Sequence, residues 1–153
     1  GIAGRTFGRD LSDVPGTGAA GGMGFAFLSF LNAKLEPGIE IILKEIGLEK
    51  EIQDADYVIT GEGRLDFQTA MGKAPIGVAR LAKKYGKKVI AFAGAVTEEA
   101  RECNARGIDA YFSITNRVMT LEEAMNPENA AKNMTSAVEQ VFRLITSTVA
   151  IQR

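Results

Sequence analysis

From residue 54 onward, short segments rich in β-branched and aromatic residues alternate with longer segments of helical periodicity, and this alternation constrains the fold more than any other feature. The segments predicted as strands are DYVITGEG (56–63), KKVIAFAGAV (87–96) and IDAYFSIT (108–115). The helices predicted to follow them are APIGVARLAKKYG (74–86), TEEARECNARG (97–107) and NPENAAKNMTSAVEQVFRLITSTVA (126–150). Strands that alternate with helices form parallel sheets through right-handed crossovers. The sequence therefore predicts an α/β fold with a parallel sheet, built from flavodoxin- or Rossmann-like βαβ layers, over residues 54–150.

Local signals set the ends of these helices. Thr97 is predicted to cap the second helix and Gly107 to end it. Asn126 is predicted to cap the third helix, with Pro127 at its first position.

The preceding part, residues 13–50, is predicted to form a glycine-rich loop and a helical segment. The stretch at 19–35 is apolar on nearly every face, which predicts a helix that is buried all round. An amphipathic helix is predicted at 37–47 and a short helical turn after it. The opening GIAGRTFGRD has no methionine and no regular pattern, so we expect the chain to be a piece of a longer protein.

The composition excludes several classes of chemistry. The 153 residues include no histidine and one cysteine, Cys103, so catalytic triads, thiolate metal sites and an intrachain disulfide are excluded within this chain. Cys103 is predicted to be structural, and the lack of disulfides favours a cytoplasmic protein. A net charge of −1 with scattered basic residues argues against nucleic-acid binding, and no apolar run is long enough to predict a membrane span. Phosphoryl transfer suits the remaining groups, because it depends on positioning and charge stabilisation.

Two phosphate-binding motifs can be tested directly. A P-loop would need GxxxxGK followed by Ser or Thr, but Phe67 stands at the first glycine position and Ala74 follows Lys73. GTGAAG (16–21) does match GxGxxG, but the polar DLSDVP before it does not predict the strand that a dinucleotide-binding site requires. Neither motif therefore predicts a nucleotide site.

The same glycine-rich loop has two other interpretations. Gly16, Gly18, Gly21 and Gly22 lie where a helix is predicted to begin, and free backbone N–H groups at such a place attract phosphates and other anions. Close packing of the helix against a neighbouring element would also require small residues. Both interpretations stay open.

The segment GEGRLDFQTAMGK (61–73) follows the first predicted strand, at the edge of the sheet where ligands bind in α/β folds. Gly61 and Gly63 are predicted to permit a turn with positive φ. Glu62 and Asp66 could bind Mg²⁺, accept a proton from an alcohol, or cap the loop.

The other polar residues of this segment also have two interpretations each. Arg64 and Lys73 could hold a phosphate or carboxylate, or pair with the nearby acids. Gln68 and Thr69 could donate hydrogen bonds to an oxyanion, or cap the next helix. Because six such residues share one edge, we interpret the segment as a binding site.

Two stretches of the sequence resemble the glycerate kinase type 1 family. They are VPGTGAAGGMGFAFLSFL and DADYVITGEGRLDFQTAMGKAPIGVARLAKKYGKKVIAFAG, and the likeness extends from about residue 13 to residue 144. The resemblance implies a cytoplasmic enzyme with two α/β domains that transfers the γ-phosphate of ATP to D-glycerate, usually giving 2-phosphoglycerate, with Mg²⁺ as cofactor. It also implies that residues 1–153 are the C-terminal portion of such a kinase and that the N-terminal half is missing.

The resemblance further implies roles for individual residues. Asp66 would be the acid–base or metal-linked carboxylate facing the glycerate hydroxyl, with Glu62 as a second candidate metal ligand. Arg64 and Lys73 would hold the substrate carboxylate or the transferring phosphoryl group. The remaining expected contacts are the polar, substrate-binding shell, formed by Gly61, Glu62, Gly63, Gln68 and Thr69, and the anion-binding loop, formed by Gly16, Gly18, Gly21 and Gly22.

Two rival interpretations remain at the level of sequence. An α/β module could bind a small anionic metabolite without reacting with it, through the same glycines and cations. A purely structural piece, whose polar residues pair among themselves, would bind nothing. The sequence also leaves open whether the protein forms a homo-oligomer.

Overall fold

A computed structural model of the chain describes residues 5–6, 8 and 10–147. The chain divides into two compact units, Gly1–Ile42 and Leu43–Arg153. The second unit contains the α/β layers and the candidate site.

A three-stranded parallel sheet with the order β1-β2-β3 organises the described part of the second unit. Its strands are β1 (Tyr57–Leu65), β2 (Lys88–Val96) and β3 (Ala110–Ser113). The predicted α/β fold with a parallel sheet is thus confirmed.

The middle strand explains why the sheet needs helices on both faces. Alternate residues of β2 enter different apolar clusters, Val89, Ala91 and Ala93 in one and Ile90 and Phe92 in the other. Strands buried on both faces read as continuous apolar runs, as KVIAFAGAV does.

Helices border the strands in sequence order. Two short helices, Phe67–Ala70 and Leu121–Met125, were not predicted. The second unit holds α3 (Leu48–Gln53), α4 (Phe67–Ala70), α5 (Ala74–Lys84), a 3₁₀ turn (Glu98–Arg101), α6 (Glu102–Ala105), α7 (Leu121–Met125) and α8 (Pro127–Thr146), and the preceding helices are α1 (Ala19–Leu31) and α2 (Gly38–Glu45).

Strand β1 is longer than its sequence predicts. The strand predicted over 56–63 continues to Leu65, so Gly61 and Gly63 lie within regular strand and the predicted loop at 61–73 is wrong in its first part. The reason is pairing with β2, in which Gly61 lies opposite Phe92 and Arg64 opposite Ala95. Neither glycine has positive φ, so the predicted turn is also wrong. At Gly61 a Cβ would lie 2.2 Å from the Phe92 carbonyl oxygen, so the close approach of the two backbones requires glycine there.

The predicted helix ends are partly confirmed. The Asn126 side chain accepts hydrogen bonds from the backbone N–H groups of Glu128 and Asn129, with Pro127 as the first helical residue. Thr97 does precede the 3₁₀ turn, but its side chain makes no capping hydrogen bond, so that predicted cap is wrong. Helix α8 ends at Thr146, and residues 148–150 of its predicted range lie outside the described residues.

The first unit corrects the prediction of a helix buried all round. Helix α1 ends at Leu31 because Asn32 adopts a left-handed conformation, and Gly24 is its one buried residue. The apolar side chains of Met23, Phe27 and Phe30 are exposed. Helix α1 is therefore apolar as predicted, but its apolar side chains are not buried by the residues that the structure describes.

A helix that crosses a membrane must be both long and apolar. Among residues 5–6, 8 and 10–147, no helix combines the length and the apolar character needed to cross a bilayer.

Candidate functional site

The carboxyl end of β1 and the turns after it position the predicted polar residues of the second unit. Glu62 and Arg64 lie in the last part of the strand, Asp66 precedes α4, and Lys73 precedes α5. Gln68 and Thr69 lie within α4. This is the edge of a parallel sheet at which α/β proteins bind ligands.

Asp66 begins α4 by capping it. Its Oδ1 atom accepts hydrogen bonds from the backbone N–H groups of Gln68 at 2.9 Å and Thr69 at 3.2 Å. In return the Asp66 N–H donates to the Thr69 hydroxyl at 3.2 Å, which completes a reciprocal capping box. A helix of only four residues is thereby held in one geometry.

Thr69 connects this cap to the second carboxylate. Its side chain is fully buried, and its hydroxyl donates a hydrogen bond to Glu62 Oε1. Through this one hydroxyl, the Glu62 carboxylate is held beside the Asp66 cap.

Charge around Asp66 favours its ionised form. Burial opposes ionisation, but the backbone N–H of Thr69, the Lys73 ammonium, the backbone N–H of Gln68 and the Arg64 guanidinium outweigh it and hold the pKa of the Asp66 carboxyl below its ordinary value. The Lys73 Nζ atom lies 3.8 Å from Asp66 Oδ1. Asp66 therefore carries negative charge at neutral pH, close to two cations that also suit an anionic ligand.

Cys103 lies beneath the site, and its surroundings are those of a structural rather than a reactive cysteine. Cys103 is fully buried in the same apolar cluster as Ala70, beneath the site. Burial raises the pKa of its thiol, and the negative charges of Glu62, Asp66 and Glu102 raise it further.

The carboxylates of Glu62 and Asp66 suit one hard cation whose remaining ligands come from outside the chain. No group of three or more His, Cys, Asp or Glu side chains that could hold a metal occurs among the described residues. Magnesium, however, commonly uses one or two carboxylates and completes its coordination with phosphate oxygens and water. Glu62 and Asp66 provide two carboxylates of that kind.

A cavity that the sequence did not predict adjoins Glu62. It has a volume of about 520 Å³ and lies between the sheet and helices α7 and α8. Helix α7 begins with a reciprocal capping box between Thr120 and Glu123. The TLEE pattern that encodes this box was the one available signal for the helix. The cavity itself forms only when α7 and α8 pack near β1 and β2.

The glycine-rich loop belongs to the first unit. Gly21 and Gly22 have φ of 68° and 98°, and regular helix begins only after them. Close packing accounts for Gly24, where a Cβ would lie 2.3 Å from the Gly16 carbonyl oxygen. A Cβ at Gly18 would meet no atom within 4 Å. Anion binding by this loop stays a prediction.

The fold is that of an α/β protein, with a cluster of charged residues at the carboxyl end of a parallel sheet. A sequence model described as the glycerate kinase family matches residues 1–146. The chain belongs to the glycerate kinase family.

Individual relatives are consistent with this assignment. The glycerate kinase of Halalkalibacterium halodurans is 48% identical over 132 residues, which are 83% of this chain and 35% of that protein. The glycerate 2-kinase of Escherichia coli is 53% identical over 115 residues, 75% of this chain and 30% of that protein. A solved structure from Salmonella typhimurium LT2, provisionally named glycerate kinase 2, has a TM-score of 0.62 at 41% identity, covering 93% of this chain and 37% of that one. The chain spans about a third of the length of the curated relatives it matches.

Proposed function

We propose that this chain takes part in the phosphorylation of D-glycerate by ATP and Mg²⁺, with 2-phosphoglycerate as the product. The observation that carries the proposal is the buried Thr69 hydroxyl, which holds the Glu62 carboxylate beside the Asp66 cap, close to Lys73. Relatives named glycerate kinase and glycerate 2-kinase support the choice of substrate.

The reaction needs no covalent intermediate with the protein and depends mainly on positioning and charge stabilisation. A glycerate hydroxyl oxygen attacks the γ-phosphorus of ATP, a new P–O bond forms, and the bond to the ADP oxygen breaks. The hydroxyl proton leaves through Asp66 to solvent. A carboxylate with a lowered pKa is a weak base, but a loose transition state demands proton removal only late in the transfer.

The remaining groups bind and orient the substrates. Glu62 and Asp66 would hold Mg²⁺, which supplies charge neutralisation at the phosphate oxygens when bound. Arg64 and Lys73 bind the glycerate carboxylate or the transferring phosphoryl group. Gln68 belongs to the polar shell, and its backbone N–H orients Asp66.

The test uses the protein at the full length that its gene encodes. It is incubated with Mg-ATP and D-glycerate, and phosphoglycerate is followed by phosphorus resonance, which also distinguishes the 2- and 3-phosphate esters. No phosphoglycerate from a folded protein would overturn the proposal and favour an anion-binding module without catalysis. Formation of 3-phosphoglycerate would retain the kinase and correct the position of transfer.

Asp66 offers a variant that separates charge from structure. Asparagine is as good a helix cap as aspartate, so Asp66→Asn keeps the cap and removes the charge, whereas Asp66→Ala removes both. We expect Asp66→Asn to lower kcat by roughly 10² or more while the melting temperature stays close to wild type. A loss of less than threefold would show that Asp66 takes no part in the chemistry.

A further inference from the structure

The 3₁₀ turn that follows β2 lies against the carboxyl end of β1. The Thr97 N–H donates a hydrogen bond to the Leu65 carbonyl oxygen at 3.0 Å, which joins the start of the turn to the last residue of the strand. Within the turn, Ala100 is fully buried in the same apolar cluster as Ala70 of α4. Because the turn is held at these two points, Glu99 has a defined position at the edge of the sheet that carries the candidate site.

Two of the three charged side chains in this turn pair with each other. The Arg101 guanidinium forms an ion pair with the Glu98 carboxylate, and its Nε–H donates a hydrogen bond to the Glu98 carbonyl oxygen at 3.3 Å. Glu99 has no close ion pair of its own in the described part of the chain. Its carboxylate is therefore available to act on a charge outside the turn.

Glu99 interacts electrostatically with Arg64 of β1. Arg64 pairs with Ala95 of β2, shortly before the chain enters the turn. The pKa of the Glu99 carboxyl lies below its ordinary value, first because of the Thr97 hydroxyl and the backbone N–H of Glu99 itself. Partial desolvation opposes this, and the charge of Arg64 lowers the pKa further, ahead of that of Arg101. The Thr97 hydroxyl acts here as a dipole, because it makes no hydrogen bond of ordinary geometry with any described residue.

Arg64 is a cation of the candidate site that has no close partner. The Lys73 Nζ atom lies 3.8 Å from Asp66 Oδ1, whereas Arg64 forms no ion pair with any carboxylate among the described residues. Its charge is nevertheless among those that lower the pKa of Asp66 and the pKa of Glu99. The Arg64 guanidinium is thus attracted by two carboxylates and closed on neither.

This arrangement suits a cation that must receive an anionic ligand. A long side chain loses conformational entropy when a ligand orders it, so a side chain that is already oriented binds at a lower cost. A guanidinium has five N–H donors, and a carboxylate on one side leaves the other donors for a second carboxylate. With Asp66 as the only neighbour, Arg64 would be drawn onto the carboxylate that is proposed to act on the substrate. Glu99 opposes that attraction.

We propose that Glu99 is a positioning residue, which holds the Arg64 guanidinium away from Asp66 and directs it toward the carboxylate of D-glycerate. The proposal rests on the proposed function, since it assigns one of the two cations of that site to one group of the substrate. A planar guanidinium matches a carboxylate with two parallel hydrogen bonds, whereas the Lys73 ammonium is a point charge that already neutralises Asp66.

Steady-state kinetics of the protein at the full length that its gene encodes provide the first test. Glu99 is exposed, so Glu99→Gln should keep the fold and the melting temperature. We expect it to raise the KM for D-glycerate about three- to fivefold, the factor that exposed charge pairs contribute, with little change in kcat. Glu102→Gln is the matched control, because it removes the same charge from an exposed position of α6. A KM for glycerate no higher than in the control would overturn the proposal, as would a larger increase in the KM for ATP.

A double-mutant cycle shows whether Glu99 acts through Arg64. In Arg64→Gln the guanidinium is absent, so the addition of Glu99→Gln should not raise the KM for glycerate further. Glu99→Asp should raise it less than Glu99→Gln, because the charge is retained on a shorter side chain. An equal increase from Glu99→Gln in both backgrounds would show that Glu99 acts independently of Arg64 and would overturn the positioning role.

The environment of Arg64 can also be measured without turnover. In protein that carries isotope-labelled arginine and no substrate, the Nε–H resonance of Arg64 is assigned from its absence in Arg64→Gln. It should shift in Glu99→Gln and stay unchanged in Glu102→Gln. The same resonance in Glu99→Gln and wild type would overturn the proposal even if the protein phosphorylated glycerate. A shifted resonance in a protein that forms no phosphoglycerate would support the positioning of Arg64 and overturn the proposed function, so the two can fail separately.

Discussion

Thr69 is the residue on which the candidate site depends most directly. Its hydroxyl both accepts a hydrogen bond from the Asp66 backbone N–H and donates one to Glu62, and it has no access to solvent. Loss of the hydroxyl would leave two polar groups without partners near an apolar core. Buried polar groups that lose a partner cost far more than an average hydrogen bond contributes.

We expect Thr69→Val to lower the free energy of unfolding by about 1–3 kcal/mol. The two side chains have nearly the same shape, so the loss is due to the missing hydroxyl. Urea denaturation would measure it, with Thr69→Ser as the control that retains the hydroxyl. If the valine variant were as stable as the serine variant, Glu62 and Asp66 would not depend on this contact.

At the residue scale, the sequence predicted that Asp66 and Lys73 lie near each other, but not how the groups around them make contact. The neighbourhood of Asp66 and Lys73 followed from their spacing after a strand. The contact between Thr69 and Glu62 could not be predicted, because it requires a strand residue and a helix residue to face each other in three dimensions. Gly61 was assigned to a turn, although the nearby Phe92 backbone is what demands a glycine.

At the scale of elements, Asp109 connects three of them at the amino end of the sheet, opposite the candidate site. It precedes β3, its Oδ2 atom accepts a hydrogen bond from the Val89 N–H of β2 at 2.7 Å, and it pairs with Lys83 near the end of α5. Partial burial opposes its ionisation, but the Lys83 ammonium, the Val89 N–H and the Lys88 charge outweigh this and hold the pKa of Asp109 below its ordinary value.

We expect Asp109→Asn to lower the free energy of unfolding by about 1 kcal/mol at neutral pH. Because the folded-state pKa is depressed, the contribution of Asp109 is present above the unfolded-state pKa and is lost as the pH falls through the folded-state value. The difference between variant and wild type should therefore shrink in acid, as denaturation from pH 7 to pH 3 would reveal. Lys88→Gln is the control, since this exposed lysine lies 3.7 Å away and should contribute little. A difference that is constant with pH would contradict the role of the charge.

The longest helix was predictable from its sequence, whereas the short helices α4 and α7 were not. Helix α8 has strong amphipathic periodicity, an Asn126 cap and Pro127, and all three signals act within the sequence. Helices α4 and α7 are too short to show periodicity, and their capping boxes were the only local signal. The extension of β1 to Leu65 arises from pairing with β2, which also keeps Gly61 in the strand despite the low strand propensity of glycine.

At the scale of the whole molecule, the described residues leave the apolar face of α1 exposed, and the chain spans only part of the length of its relatives. Phe30 and Leu31 are 62% and 68% exposed, and the chain covers 35% of the glycerate kinase of Halalkalibacterium halodurans. The apolar composition of 19–35 predicted burial, but composition cannot indicate which surface would provide it.

We expect the 153-residue chain alone to form phosphoglycerate at least roughly 10³-fold more slowly than a full-length glycerate kinase relative, because transition-state stabilisation needs charges fixed around the whole phosphoryl group. Phosphorus resonance on both proteins at equal concentration would measure the ratio. Circular dichroism of the chain alone is the control for folding. A rate within tenfold of the relative would show that these residues are sufficient.

Cys103 is a natural probe of local unfolding in the core beneath the candidate site. It is the sole thiol of the chain, it has no access to solvent, and it lies in the core beneath the candidate site. A thiol reagent can reach it only when that core opens, so the labelling rate measures the frequency of opening under native conditions. No cysteine has to be introduced or removed for this measurement. A ligand that binds the closed state at the edge of the sheet should slow the labelling in proportion to its occupancy, which turns a buried side chain into an assay that requires no turnover.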